Sequence, residues 1–408
     1  MAHFIGGTPM ASTARCPREW AEALEPEFLN KDLATRSTDL PAAKREHSQE
    51  PDKFRTEFDR DYTRILHSRA FRRLRHKTQV FIDPLNDHIC TRLEHSLLVA
   101  SVSRTISKAL GLNNELVAAI AVGHDLGHAP FGHEGERCLG KLAEGVGLGF
   151  KHEPHSLRVV DRLERMYKAH PGLNLTFAVR DGIACHCGEK IDQRLSPDRK
   201  KQPASLKRPK VGMRPATLEG CVVRFADVVA YLGRDLEDAM MLDVGIVTKK
   251  QIPSVVKRVL GDDNRSIMGS LIGDIVANSK GKGDCIAMSD RKMKALLALM
   301  DFNNEAIYKS PKVKERFKQI SKAMGFMFEE IVALITDAKK KGVDDGELFA
   351  DRRDKENWVT VLSSFLTEDI QDWWREKPAQ LTVDFIAGMT DAFFIRAFQE
   401  MFLPYGTV

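Results

Sequence analysis

The chain has 408 residues, 43% of them hydrophobic and 29% charged, with a formal net charge of +5. This is an ordinary globular balance, enough for one large domain or two closely packed ones, and it contains no apolar run of the roughly 18 residues that a membrane span needs. Seven scattered cysteines suit a reducing compartment better than a disulfide framework, and the opening MAHFIGGTPMASTARCPREW lacks a basic-then-apolar secretion pattern, so a cytoplasmic location is expected.

Residues 1–50 are polar and irregular, a mobile arm or a packed extension. Residues 54–76 (FRTEFDRDYTRILHSRAFRRLRH) read as helix with a strongly basic second half, and TQVFIDPLNDH (78–88) as a short extended or hairpin piece. From Thr91 to Leu110 the positions Leu93, Leu97, Ala100 and Ile106 recur at helical spacing, with Gly111 as C-cap. Asn113 or Asn114 caps NELVAAIAVGHD, which is short and nearly all apolar, hence a buried central helix. Helices are expected at 153–168 and 173–187. The Pro- and Lys/Arg-rich stretch 192–216 has no periodicity and reads as an excursion or flexible loop. A long helix spans 217–244, and amphipathic segments follow at 254–276, 290–308, 312–338, 354–366 and 381–402. With no repeat and few strand signals, an all-α chain is expected. Its parts are an N-terminal extension (1–53), a helical core (54–250, with the basic excursion at 192–216) and a C-terminal helical region (251–408) packed on the core.

The central helix ends in His124–Asp125. A buried aspartate is costly unless a cation or hydrogen-bond donors compensate it, and a metal ion is the simplest compensation. His95, in TRLEHSLLVA, and Asp227, which interrupts a mostly apolar run in CVVRFADVVAYLGRDLEDAM, offer two further ligands. Two His and two Asp form a mixed N/O set that suits Mg, Mn, Fe, Co, Ni or Zn. The competing reading of the spacing is packed histidines hydrogen-bonded to carboxylates. Arg92 sits one helical turn before His95, so an anion at the metal would also reach it. Tyr231 and Asp235 follow Asp227 on the same face and bring a hydroxyl donor and a carboxylate acceptor there. His128 lies where Gly127 and Pro130 end the helix, as a group behind the ligands or a phosphate contact. The C-H-C at 185–187 lacks the spaced partner pair of a zinc site. Arg72, Arg73, Arg75 and Lys77 form a basic patch that is either a solvated face or a substrate contact.

The order His95, His124–Asp125, Asp227 resembles the HD superfamily of metal-dependent phosphohydrolases. The match extends to FRRLRHKTQVF (71–81), TRLEHSLLVA (91–100), GHDLGHAPFGHEGE (123–136), FKHEPHSLRVV (150–160), the Asp227/Tyr231/Asp235 helix and DFIAGMTDAFF (384–394), which are similar to deoxyguanosine triphosphate triphosphohydrolases. The resemblance implies an HD-domain helical core and hydrolysis of a dNTP to a deoxynucleoside and inorganic triphosphate, with one divalent ion held by His95, His124, Asp125 and Asp227. It puts His133 at the scissile bond as acid or base, with Glu136 holding its tautomer, His152 near the α-phosphate, and Gln79 at the sugar or base. His155 and His186 are expected to be structural, and the GMTD at 388–391 to serve packing. Val228 stands where some relatives carry a phosphate-binding lysine, so another cation must serve here. The resemblance also implies a homo-oligomer and a dNTP effector at a subunit interface. The basic run KKQPASLKRPK (200–210) could meet that effector or nucleic acid, or be a solvated loop. Another HD phosphohydrolase, a nucleoside monophosphatase or cyclic nucleotide phosphodiesterase, and a catalytically inactive nucleotide or nucleic-acid binding module remain the alternatives.

Overall fold

The computed structural model describes residues 29–81, 86–187, 191–242, 246–342, 348–349, 357–370 and 372–403. Most of the expected N-terminal arm (1–28) and part of the expected hairpin piece (82–85) lie outside the described residues. The described chain is all-α. Helices α1 (Glu57–His67) and α2 (Arg69–Arg73) lead into α3 (Arg92–Leu110), α4 (Asn114–Gly123), α5 (Gly132–Gly145), α6 (His152–Arg158), α7 (Phe177–Cys185) and α8 (Leu218–Met241). Then come α9 (Ser254–Val259), α10 (Asn264–Ser279), α11 (Asp290–Asn303), α12 (Pro311–Lys341), α13 (Asn357–Ser364), α14 (Pro378–Gly388) and α15 (Asp391–Phe402). Among the described residues the only sheet is a pair of two-residue strands, β1 (Arg194–Leu195) antiparallel to β2 (Ile286–Ala287). No helix of the described residues is long and apolar enough to cross a membrane.

Local chemistry sets the helix ends that matter for the site. Thr91 and Glu94 form a capping box at the start of α3, and Gly111 closes it in the left-handed conformation. Asn113 accepts from the backbone N–H groups of Glu115 and Leu116 and so starts α4. Every residue of α4 from Leu116 to Gly123 is buried, and the helix packs against α1, α3, α7 and α8. At its last residue the approach of α7 is so close that a Cβ on Gly123 would lie 2.6 Å from Ile183 Cδ1. That contact fixes the height at which His124 leaves the helix.

Two apolar clusters meet at the segment that follows α4. The first gathers residues from α1 to α4 and α7 to α11. The second is built on α5 and α12 to α15, with Phe131, Phe150, Met327, Trp358, Phe385 and Phe394 among its members. Leu126 belongs to the first, whereas Ala129 and Phe131 belong to the second. The turn 124–131 is therefore gripped from both sides.

Several helices are shorter than the periodicity predicts, each for a visible reason. The helix expected at 153–168 ends in a π turn at Val159–Leu163. Beyond it the Glu164 carboxylate accepts from the backbone N–H groups of Arg69 and Ala70 at the start of α2. The helix expected from 173 begins only at Phe177, because the carbonyls of Leu173 and Asn174 are taken by Arg64, and that of Asn174 also by Arg45. The segment 254–276 is split at Gly261, with φ of 112°, and Asp263 caps α10 anew. The segment 381–402 is split where Thr390 caps α15. The stretch 192–216 is not a free loop. It contributes β1, buries Leu195 and Leu206, and pairs Lys201 with the buried Asp181 at 2.5 Å and Arg199 with Asp284 at 2.7 Å.

Glu219, fully buried at the start of α8, joins three segments. Its carboxylate accepts from Thr35 N at 2.9 Å, Thr35 Oγ1 at 2.9 Å and Asn113 N at 3.1 Å. It thereby registers the 29–50 extension, α4 and α8 against one another. Glu219→Ala should lower stability in urea unfolding by at least about 2 kcal/mol, since each orphaned buried donor costs about 1–3 kcal/mol. A loss within error of zero would mean that these donors find other partners.

Candidate active site

Four side chains from three helices point at one spot. His95 comes from the first turn of α3, His124 and Asp125 from the end of α4, and Asp227 from the middle of α8. His95 Nε2 lies 3.0 Å from Asp227 Oδ1, and His124 Nε2 lies 3.8 Å from that oxygen and 3.4 Å from Asp125 Oδ1. His124 Nδ1 donates to the Ala121 carbonyl at 2.6 Å, so its other nitrogen carries a lone pair toward the cluster. That Nε2 is buried without a hydrogen-bond partner. A metal-ligating imidazole has this arrangement, one nitrogen fixed by a carbonyl and the other open. His95, His124 and Asp125 form a group able to hold an ion, as do His124, His186 and Asp227. Two imidazole nitrogens and two carboxylates converge, and one buried nitrogen is unsatisfied, a donor set that suits a divalent ion.

Electrostatics agree with that geometry. Burial alone would raise the Asp125 carboxyl, but the neighbouring His124 imidazole and Arg92 guanidinium hold it well below the usual carboxylate range. For Asp227 burial is likewise overcome, by the His95 hydrogen bond and the neighbouring imidazoles, and its pKa falls to about 2. Both groups stay ionised in a dry site. Arg92 reaches Asp125 Oδ2 at 2.6 Å, and the two side chains are only 1% and 5% exposed. Arg92 Nε and Nη2 have no partner. The phosphate contact expected of Arg92 thus comes with a second task, pairing with Asp125.

The turn after α4 depends on close contacts. Gly127 N donates to Ser156 Oγ at 2.9 Å, and that hydroxyl donates to the His124 carbonyl. A Cβ on Gly127 would sit 2.1 Å from Ser156 N, so only glycine lets α6 lie this close. His155 bridges the Gly127 carbonyl and Asp384 of α14. Asp391 accepts from the backbone N–H groups of Thr78 and Phe131, at 3.0 and 2.9 Å. Lys77 corrects the sequence reading: it is no part of a solvated patch but buried, donating to the His128 and Ala387 carbonyls. The GMTD stretch likewise does more than pack, since its Asp391 holds the turn.

Around the cluster lies a cavity of about 370 Å³ lined by Gln79, Arg92, His128, His133, His152, Tyr231 and Asp235, with Val228 at its wall. All of these expected residues are brought together. Glu136 sits behind them, and here the geometry differs from expectation. Its carboxylate lies closer to His152 Nδ1, at 3.0 Å, than to His133 Nδ1, at 3.5 Å, and it also accepts from His152 N. His152 is buried, and its pKa rises to about 9 because Glu136 outweighs the opposing effect of burial. The His133 side chain is 69% exposed. His128 is 1% exposed, stacks on His152 at 4.2 Å and 20°, and has both ring nitrogens free. Burial, then Arg92 and His152, keep His128 neutral well below the usual histidine range.

Two pocket residues escape sequence reasoning. His186 lines the cavity and touches His152, Nε2 to Nε2, at 3.1 Å. Its place directly after an apolar helix is the same signal that marks His124. Tyr308 comes from the π turn after α11 and donates to Asp235 Oδ2 at 2.6 Å. Burial raises the Asp235 pKa to about 7, with the Tyr308 hydrogen bond pulling the other way. Arg137 and Arg224 also line the cavity and are the cations available where Val228 offers none.

The HD domain family matches residues 92–232, which contain all four converging residues. A deoxyguanosinetriphosphate triphosphohydrolase-like protein of Desulfatibacillum aliphaticivorans is 39% identical over 95% of this chain and 98% of its own length. A protein of the same description from Caldanaerobacter subterraneus is 36% identical over 95% and 96%. One from Syntrophus aciditrophicus is 43% identical over 64% and 63%. The chain belongs to this deoxyguanosinetriphosphate triphosphohydrolase-like family, and it is an HD-domain phosphohydrolase.

The Arg92–Asp125 pair makes a testable demand. Removing one partner of a buried ion pair costs about 3–5 kcal/mol, because the other charge is left uncompensated. Arg92→Leu should show a loss of that order in urea unfolding with chelator present. The loss should be clearly smaller with Mn²⁺ bound, which supplies a second compensating charge. Equal losses in both conditions would mean that Asp125 does not face the ion.

Proposed function

We propose that the protein hydrolyses deoxynucleoside triphosphates to deoxynucleoside and inorganic triphosphate, with one divalent ion held by His95, His124, Asp125 and Asp227. The observation that carries this reading is the make-up of the cavity lining. It combines unsatisfied groups suited to a phosphate, Arg92 Nε and Nη2 and both nitrogens of His128, with a set suited to a sugar hydroxyl, Tyr231, Asp235 and Tyr308. A nucleotide asks for both.

A divalent ion at the cluster would polarise a phosphoryl oxygen and offset charge building at phosphorus. The rest falls to the chain. Arg92 and neutral His128 hold the α-phosphate, and Arg137 and Arg224 take the outer phosphates in place of a lysine at 228. Asp235, held by Tyr308, accepts from the ribose 3′ hydroxyl, and Tyr231 closes over the sugar. Gln79, whose buried Oε1 is unpartnered, contacts sugar or base. Water attacks the α-phosphorus as its bond to the 5′ oxygen breaks, and the water oxygen stays on the triphosphate. His133 stands at the solvent side and gives a proton to the departing 5′ oxygen, with the Glu136 carboxylate behind it.

Two measurements test the reading. Incubation with each of the four dNTPs across a Mg²⁺, Mn²⁺, Co²⁺, Ni²⁺ and Zn²⁺ series should release deoxynucleoside and triphosphate in equal amounts, read by chromatography and phosphorus NMR. Release of orthophosphate or pyrophosphate instead would place the chain with other HD phosphohydrolases. His133→Ala should retain the metal by elemental analysis and lose about 10²-fold or more of kcat. Wild-type turnover in that variant would remove His133 from the proton path.

A further inference from the structure

We infer that His186 is a positioning residue, a hydrogen-bond acceptor that fixes the His152 ring and, through it, the orientation of His128. A chain of directed hydrogen bonds runs from the Ile183 carbonyl through His186 and His152 to Glu136. His186 Nδ1 lies 2.7 Å from the Ile183 carbonyl, which only accepts, so that nitrogen carries the proton. In the neutral ring Nε2 then holds a lone pair. It faces His152 Nε2 at 3.1 Å, and that nitrogen is the donor. His152 Nδ1 faces the Glu136 carboxylate at 3.0 Å and donates there. Both nitrogens of His152 are thus spent on the protein.

This bears on which imidazole meets substrate. The catalytic-site contact expected of His152 has no free nitrogen to make it. His128 lies face to face with the His152 ring at 4.2 Å, and both of its nitrogens are open. The plane of His152 sets the plane of His128, and His186 sets the plane of His152. All three rings are at most 5% exposed, so the hydrogen bonds of His152 and His186 are made chiefly to one another and to buried protein groups. The anchor is also rigid: Ile183 sits on the last turn of α7 and His186 caps its end, where Ile183 abuts Gly123 beside the His124–Asp125 pair. Positioning of the phosphate-facing histidine is thereby tied to the same helix contact that positions the ligand cluster.

The competing role is direct metal ligation, since His186 groups with His124 and Asp227. His186→Leu and His186→Gln separate the two. Leucine removes the acceptor, whereas the glutamine amide oxygen can restore it. Both variants should hold as much Mn²⁺ as wild type. His186→Leu should lose kcat on the order of 10- to 100-fold, the scale at which a misplaced active group is felt, with KM little changed. His186→Gln should recover most of that loss. Metal loss in either variant, equal losses in both, or full activity in the leucine variant would each overturn the inference. The kinetic arm rests on the dNTP hydrolysis proposed above, so a second measurement is independent of substrate and of any variant. Histidine ¹⁵N NMR of the Zn²⁺-loaded wild type should find His186 protonated at Nδ1 alone and His152 at both nitrogens. A proton on His186 Nε2 would overturn the inference even if the substrate reading stands.

Discussion

One ionised carboxylate in a dry interior organises this molecule. Asp125 cannot keep its charge at the end of an all-apolar helix without compensation, and burying an uncompensated charge costs several kcal/mol. Arg92 supplies the first answer from α3, and the imidazoles of His95, His124 and His128 crowd in from three elements. A divalent ion completes the set in the proposed enzyme. What makes the site a site is the same thing that would otherwise unfold it.

That constraint explains why residues far apart in sequence converge on a turn of eight. The turn 124–131 exposes backbone polar groups in a place without water, so each must find a partner. Ser156 answers for Gly127 and His124, Lys77 for His128, and Asp391 for Phe131. Phe131 itself adopts a positive φ of 66°, a conformation that a non-glycine residue holds only when its surroundings enforce it. Here Asp391 binds its N–H and Phe394 packs on its ring at 5.0 Å. The C-terminal helices contribute no group to the ligand cluster. They hold in place the turn from which the cluster grows.

Much of this is legible in the sequence because burial and titratable chemistry conflict openly there. A His–Asp pair after eight apolar residues, and Asp227 inside an apolar run, are anomalies that periodicity alone exposes. The helical class is legible for the same reason, through spacing and caps such as Thr91, Gly111 and Asn113. What escapes is decided by tertiary contact. Lys77 reads as one more member of a basic run, and only the carbonyls of His128 and of Ala387, the latter 310 residues away, make it an interior group. Glu164 ends a helix early because the start of α2 needs its carboxylate. Tyr308 reaches Asp235 from a π turn that no local pattern announces. Glu136 stands three residues after His133, and sequence spacing favours that pair. The fold instead brings His152 closer.

The closer contact also divides labour between the two histidines that share Glu136. A group that delivers a proton in every turnover must be recharged from solvent. A ring with both nitrogens bonded to protein groups cannot do this without breaking one of those bonds. His152 is of the second kind and His133, largely exposed, is of the first. Their common carboxylate gains from the fixed partner, because a neighbouring imidazole cation keeps Glu136 ionised against the cost of burial. An ionised Glu136 in turn gives His133 Nδ1 a carboxylate partner at 3.5 Å. The buried pair supplies the charge, and the exposed ring moves it.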